Sequence, residues 1–203
     1  MANDPTAYRY GSALIPVNWT ICGVVLRPFS LGHFLILEQI QNPIINESEQ
    51  GLNITDGMYW FFQALIVCAQ DYKENMYTLS TDETQKEVFD KFTVNLLKNM
   101  DCDKSWNIFD KFKLFKEYMA YYMDIPIYSE EKTSNDNKMP SGTDWKQNIY
   151  LTFKKLGYSE EEILNMPFKR LFYEWCSHAE SEGAIKVMNK YDLDSLNFMK
   201  GIR

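Results

Sequence analysis

Two histidines and four cysteines are the side chains of this sequence best suited to nucleophilic or metal chemistry, and their spacing defeats both uses. Cys176 and His178 stand two apart in a segment of helical periodicity, so thiol and imidazole project to different sides and cannot pair as thiolate and base. His33 has no cysteine near it in sequence. Cys22, Cys68 and Cys102 stand singly, with no C-x-x-C to mark a zinc site or a redox couple. Asp101, Asp103 and Ser105 imitate the first ligands of a calcium loop. Trp106 takes the place of its glycine and Phe112 that of its bidentate glutamate, so these acids read as residues that favour a helix start. Glu160, Glu161 and Glu162 are explained by the first turn of a helix, and nothing selects two of them as a hydrolytic pair. Lys169 and Arg170 with Phe172 and Tyr173 outline a stacking platform for a single strand. Two bases in an acidic chain are a weak electrostatic footprint, and the segment reads as a solvated helix face. Glycine-rich phosphate loops, H-E-x-x-H and G-x-S-x-G do not occur. The expectation is a protein that is not an enzyme and needs no metal or cofactor.

The elements that would position these residues are mainly helical. Trp19 to Leu26 (WTICGVVL) is rich in β-formers and reads as a minor N-terminal β element. Ser30 is a good N-cap for Leu31 to Gln41, which Pro43 stops. Thr55 or Asp56 caps Met58 to Gln70, in which eleven of the first twelve residues are apolar; a helix without a polar face is central to a core or covered by a partner. Ser80 or Thr81 opens a helix with Val88, Phe89, Phe92 and Leu96 on one face. After a turn at Asn99 to Asp103, a second helix runs from about Lys104 to Met123, and the two read as an antiparallel pair. Thr143 caps a helix ending at Leu156, with Gly157 in the C′ position. Ser159 and Glu162 have capping-box spacing, and Pro167 opens Phe168 to Glu182, closed by Gly183. Short helices are expected after Ala184. The fold class is therefore mainly α: a small bundle of five to seven helices. Its predicted divisions are an N-terminal helical domain over residues 1–124, a flexible linker over 125–142, and a C-terminal helical subdomain over 143–203.

Charge narrows the partners. Across 203 residues, 28 acids face 21 bases, a net charge of −7 that repels phosphates and argues against nucleic acid or an anionic membrane. The longest apolar run, Gly57 to Ala69, is interrupted by Gln63 and falls short of the ~20 residues a bilayer requires. Asp4 and Pro5 stand where a secretion signal would be basic, and the scattered cysteines suit a reducing compartment. Residues 1–70 carry only Arg9 and Arg27 as bases, with five acids, so the N-terminal third is poorly charged. Such a stretch is either core or a surface meant to be covered.

Two segments resemble proteins of tailed phages. RPFSLGHFLILEQIQNPII (Arg27 to Ile45) resembles an N-terminal stretch of small proteins from tailed-phage gene neighbourhoods. KKLGYSEEEILNMPFKRLFYEW (Lys154 to Trp175) resembles the C-terminal region of tail assembly chaperones: a turn, an S-x-E-E-x-L helix and a proline opening a final amphipathic helix. The resemblance implies a helical protein of the host cytoplasm that coats the hydrophobic tape measure protein until tube subunits replace it. On that reading the partner-binding surface is drawn from Leu31, Phe34, Leu35, Trp60, Phe61 and Phe62, with Phe168, Leu171 and Phe172 as a second candidate, and no catalytic residue carries over. The alternatives are a structural component of the virion or tail, and a phage-encoded inhibitor of a host defence protein.

Overall fold

The computed structural model describes residues 17–45, 54–102, 107–124, 126, 128–130 and 145–188. In chain order these form strands β1 (Trp19–Ile21) and β2 (Val24–Leu26), helices α1 (Leu31–Gln39), α2 (Ile54–Ala69), α3 (Tyr72–Thr78), α4 (Asp82–Cys102) and α5 (Ile108–Tyr122), strand β3 (Tyr128–Glu130), helices α6 (Trp145–Lys155), α7 (Glu160–Asn165) and α8 (Phe168–Ser181), and strand β4 (Ile185–Val187). The fold is mainly α with a minor N-terminal β element. Eight helices occupy the described residues, against the five to seven expected. The chain divides into two compact units: the first holds Val17–Met123 together with Glu160–Pro167, and the second holds Asp124–Ser159 and the segment from Phe168 onward. This departs from the sequential division into 1–124 and 143–203, because Glu160–Pro167 packs with the first unit.

The first unit is built around α2. Phe61, Ala64, Leu65 and Cys68 are fully buried, and the helix takes neighbours on several sides. Helix α1, strand β2 and helix α4 pack against it, while Phe61 meets Phe112 and Phe115 of α5 with ring centroids 5.8 and 5.7 Å away. Both amphipathic helices, α4 and α5, thus meet α2, as expected beside a helix with no polar face. Helix α4 also runs through Cys102, where a turn was expected. Helix α5 starts later than expected, at Ile108, where the Asn107 side chain accepts the Phe109 N–H at 3.0 Å.

The hairpin β1–β2 turns on Cys22 and Gly23, whose φ values of 54° and 74° give the twist a two-residue hairpin requires. It is tied down by α5. The Tyr118 hydroxyl donates to the Arg27 carbonyl at 2.8 Å, the Tyr122 hydroxyl donates to the Val17 carbonyl at 3.1 Å, and Trp19 packs edge-on to Tyr118 at 5.8 Å.

The C-terminal end of α2 is closed by three separate elements. The last carbonyls of a helix lack intrahelical donors and must find others when buried. Here Asn75 of α3 donates to Val67 O at 2.9 Å, the Arg27 N–H donates to Cys68 O at 2.8 Å, and His33 Nε2 lies 2.7 Å from Gln70 O, just past the helix. His33 is also part of the cap of α1: its N–H donates to Ser30 Oγ and its Nδ1 accepts the Ser30 N–H at 3.1 Å. Since Nδ1 accepts, Nε2 carries the proton and donates to Gln70.

In the second unit α6 packs on α8, with Trp145 5.8 Å from Phe168 and 5.4 Å from Phe172. Gly157, at φ +92°, ends α6 as expected, and its N–H donates to Lys154 O. Strand β3 pairs antiparallel with β4. Residues 128–130, inside the segment expected as linker, form a strand, and Ile185–Val187, at the start of the tail expected to be helical, is its partner. Residues 131–142 and 189–203 lie outside the described residues. Lys169 of α8 is buried and is matched by the Asp124 carboxylate, 3.2 Å from its Nζ.

Two outcomes follow for stability. Phe115 is completely buried, so Phe115→Ala should cost about 3–5 kcal/mol in chemical denaturation. Burial pushes the His33 imidazole down to about 4, with the Gln70 carbonyl opposing the shift, Arg27 reinforcing it and Asp71 opposing it more weakly. The unfolded chain therefore takes up this proton before the folded one does. The His33 contribution is complete above pH 6.5 and fades as pH falls towards 4, a loss of about 3 kcal/mol at the lower limit. Denaturation midpoints should fall more steeply over this range in wild type than in His33→Gln; parallel curves would contradict the assignment.

Candidate functional site

The groups singled out for chemistry are separated or sealed. Among the described residues no three His, Cys, Asp or Glu side chains gather as metal ligands. Cys22, Cys68 and Cys176 are buried free thiols. Asp103 and Ser105 of the calcium-like stretch lie outside the described residues. Glu160, Glu161 and Glu162 are exposed on the first turn of α7. The solvated face expected around Lys169 is corrected: Lys169, Phe172 and Tyr173 are buried, and Arg170 is paired with Glu174 at 2.6 Å, so no basic stacking platform exists there. One pair escaped the sequence reading. Ser30 Oγ lies 3.2 Å from His33 Nδ1, the distance of a nucleophile and its base. Ser30 is only 1% exposed and its hydroxyl caps α1, so the contact is architecture.

The nine residues proposed for partner contact divide clearly. Leu31, Phe61, Phe62, Phe168, Leu171 and Phe172 are buried, and as core residues they are not available as a surface. Leu31, Phe61 and Phe62 belong to the core of the first unit; Phe168, Leu171 and Phe172 belong to the second. Phe34, Leu35 and Trp60 are half-buried on α1 and α2. Among the described residues of the apolar N-terminal third, most of the large apolar side chains are core, with Phe34, Leu35, Tyr59 and Trp60 partly reaching solvent.

One aromatic group that reaches solvent lies where α2 meets α4. Tyr59 is 45% exposed, its ring 5.1 Å from Trp60 and 5.3 Å from Phe89 of α4. Phe89 leads into a cleft where Ile40 follows α1, Ile66 and Val67 come from α2, Leu79 follows α3 and Val88 comes from α4. Three of the polar residues lining the cleft are hydrogen-bonded within the protein. Gln63 Oε1 accepts from Asn42, Asn75 donates to Val67 and Gln70, and Thr78 donates to Gln70 Oε1. Asn42 is itself buried and also donates to Trp60 O at 2.9 Å, fixing the turn after α1 against α2. The cleft encloses about 20 Å³, room for roughly one water and far below the several hundred Å³ of a metabolite site. It can offer apolar contact to a macromolecule and little to a small polar ligand. Sequence periodicity placed Val88 and Phe89 on the inner face of α4; both are half-buried, at the edge of the cleft.

The thiols yield a direct check. Burial pushes both Cys68 and Cys176 up to about 12, the Tyr118 hydroxyl partly offsetting this at Cys68 and Glu180 adding to it at Cys176. Thiolate is then scarce at ordinary pH, and the thiolate is the reacting form. In a Cys102→Ser background, an aromatic disulfide reagent should titrate no thiol quickly in the folded protein and three in denaturant. Fast labelling of the folded chain would refute the burial.

No protein-family model, curated protein or solved structure matches this chain.

Proposed function

We propose that this protein works without turnover, by holding an apolar segment of another protein against the face formed by Tyr59, Trp60, Phe89 and the adjoining cleft. The observation that carries the reading is the aromatic group itself. Three large rings stay partly open to solvent beside a cleft lined mainly by Ile40, Ile66, Val67, Leu79 and Val88, so what this face offers most is apolar contact. Aromatic side chains are the usual energetic centre of protein contacts. The net charge of −7 keeps an apolar face in solution and disfavours nucleic acid as the occupant. No helix of the described residues is long and apolar enough to cross a membrane.

The resemblance of Arg27 to Ile45 and Lys154 to Trp175 to tailed-phage proteins makes the tape measure protein the leading partner and the host cytoplasm the place of action. The protein would then be a tail assembly chaperone. The test is co-expression with the tape measure protein of the same phage. Wild type should keep that protein soluble and co-purify with it, while Tyr59→Asp should weaken the complex about thirtyfold, the scale of losing a central contact. Tyr59 is exposed, so the variant should keep its helicity by circular dichroism. A folded variant binding at wild-type affinity would remove this face from consideration. Mass spectrometry of finished particles should find no copy of the chain; its presence there would favour a structural tail component.

A further inference from the structure

Helix α7 enters the first unit from a stretch whose chain neighbours on both sides belong to the second. It packs on α1 and α3, and its hold on them is specific. Ile163 and Leu164 are buried. The Asn165 side chain accepts the Tyr72 N–H at 2.9 Å, one of the donors at the start of α3 that has no acceptor within its own helix. Pro167 pairs antiparallel with Ser30, the residue that caps α1. Between these two attachments the backbone comes very close. A Cβ placed on Gly32 would lie 2.7 Å from the Leu164 carbonyl oxygen and 2.9 Å from the Tyr72 ring, so only glycine permits the contact.

We infer that Glu160–Pro167 is a strap that closes the N-terminal ends of α1 and α3 together, and that these two helices open as one when it lifts. Each helix start depends on the strap for one backbone attachment: α3 through Asn165, and α1 through the pairing of its capping serine with Pro167. Gly32 is where strap, α1 and α3 meet, so a wedge there acts on the same closure while the residues of both attachments stay unsubstituted.

Hydrogen exchange on the full-length chain tests this with two substitutions made from opposite sides of the junction. Asn165→Leu removes the acceptor and keeps the bulk; Gly32→Ala inserts the wedge. Amide exchange across residues 31–39 and 72–78 should accelerate about tenfold in both variants, while 168–181 stays within about twofold of wild type. Should Gly32→Ala fail to fold, Asn165→Leu, which loses a single hydrogen bond, decides alone. Acceleration in only one of the two helices, no acceleration, or equal acceleration in 168–181 would overturn the strap.

Discussion

The buried C-terminal end of α2 is the constraint on which the first unit rests. A helix apolar around its circumference is easily enclosed along its length, but its last carbonyls are as polar as any others. Leaving such a group buried and unpaired costs about 1–3 kcal/mol. The chain meets this need with donors from three places: the Asn75 amide, the Arg27 peptide and the His33 imidazole. Each donor fixes the element that carries it. Helix α3 must turn back at once, the hairpin must end where Arg27 reaches Cys68, and the first turn of α1 must face Gln70.

The same need for partners engages several of the buried polar side chains of this unit. Asn42, Gln63, Asn75 and Thr78 hold one another or α2 in place. A site able to polarise a bond needs a group with unspent hydrogen-bonding capacity directed at a ligand. The face we assign to binding offers mainly hydrocarbon and aromatic ring. Selectivity there would come from shape and from the placing of Tyr59, Trp60 and Phe89.

Much of the local structure was legible because it depends on near neighbours. Ser30 as a cap, Gly157 beyond α6, Pro167 before α8 and the extended segment near Trp19 follow from backbone sterics and short-range hydrogen bonds. Helix α3 was missed although Asp71 and Glu74 form a reciprocal cap that its sequence displays; a polar stretch without periodicity concealed it. The β3–β4 pair was illegible for a different reason. Each strand has three residues, and their pairing joins parts of the chain more than fifty residues apart. Burial was harder still. Phe61 and Trp60 are adjacent and both aromatic, yet one is enclosed and the other half-open. That difference is set by where α4 and α5 pack, which neither residue encodes.

The position of α7 also orders events in time. During synthesis Val17–Met123 is complete well before Glu160–Pro167 exists, some 44 residues later. At about 5–20 residues per second the interval is roughly 2–9 s, long compared with helix formation and collapse. For that period the nascent first unit lacks the residues that finish it, with Leu31 and its neighbours not yet fully enclosed. A ribosome-bound chain of this protein is thus briefly stickier than the released one, and its final consolidation waits on translation reaching Pro167.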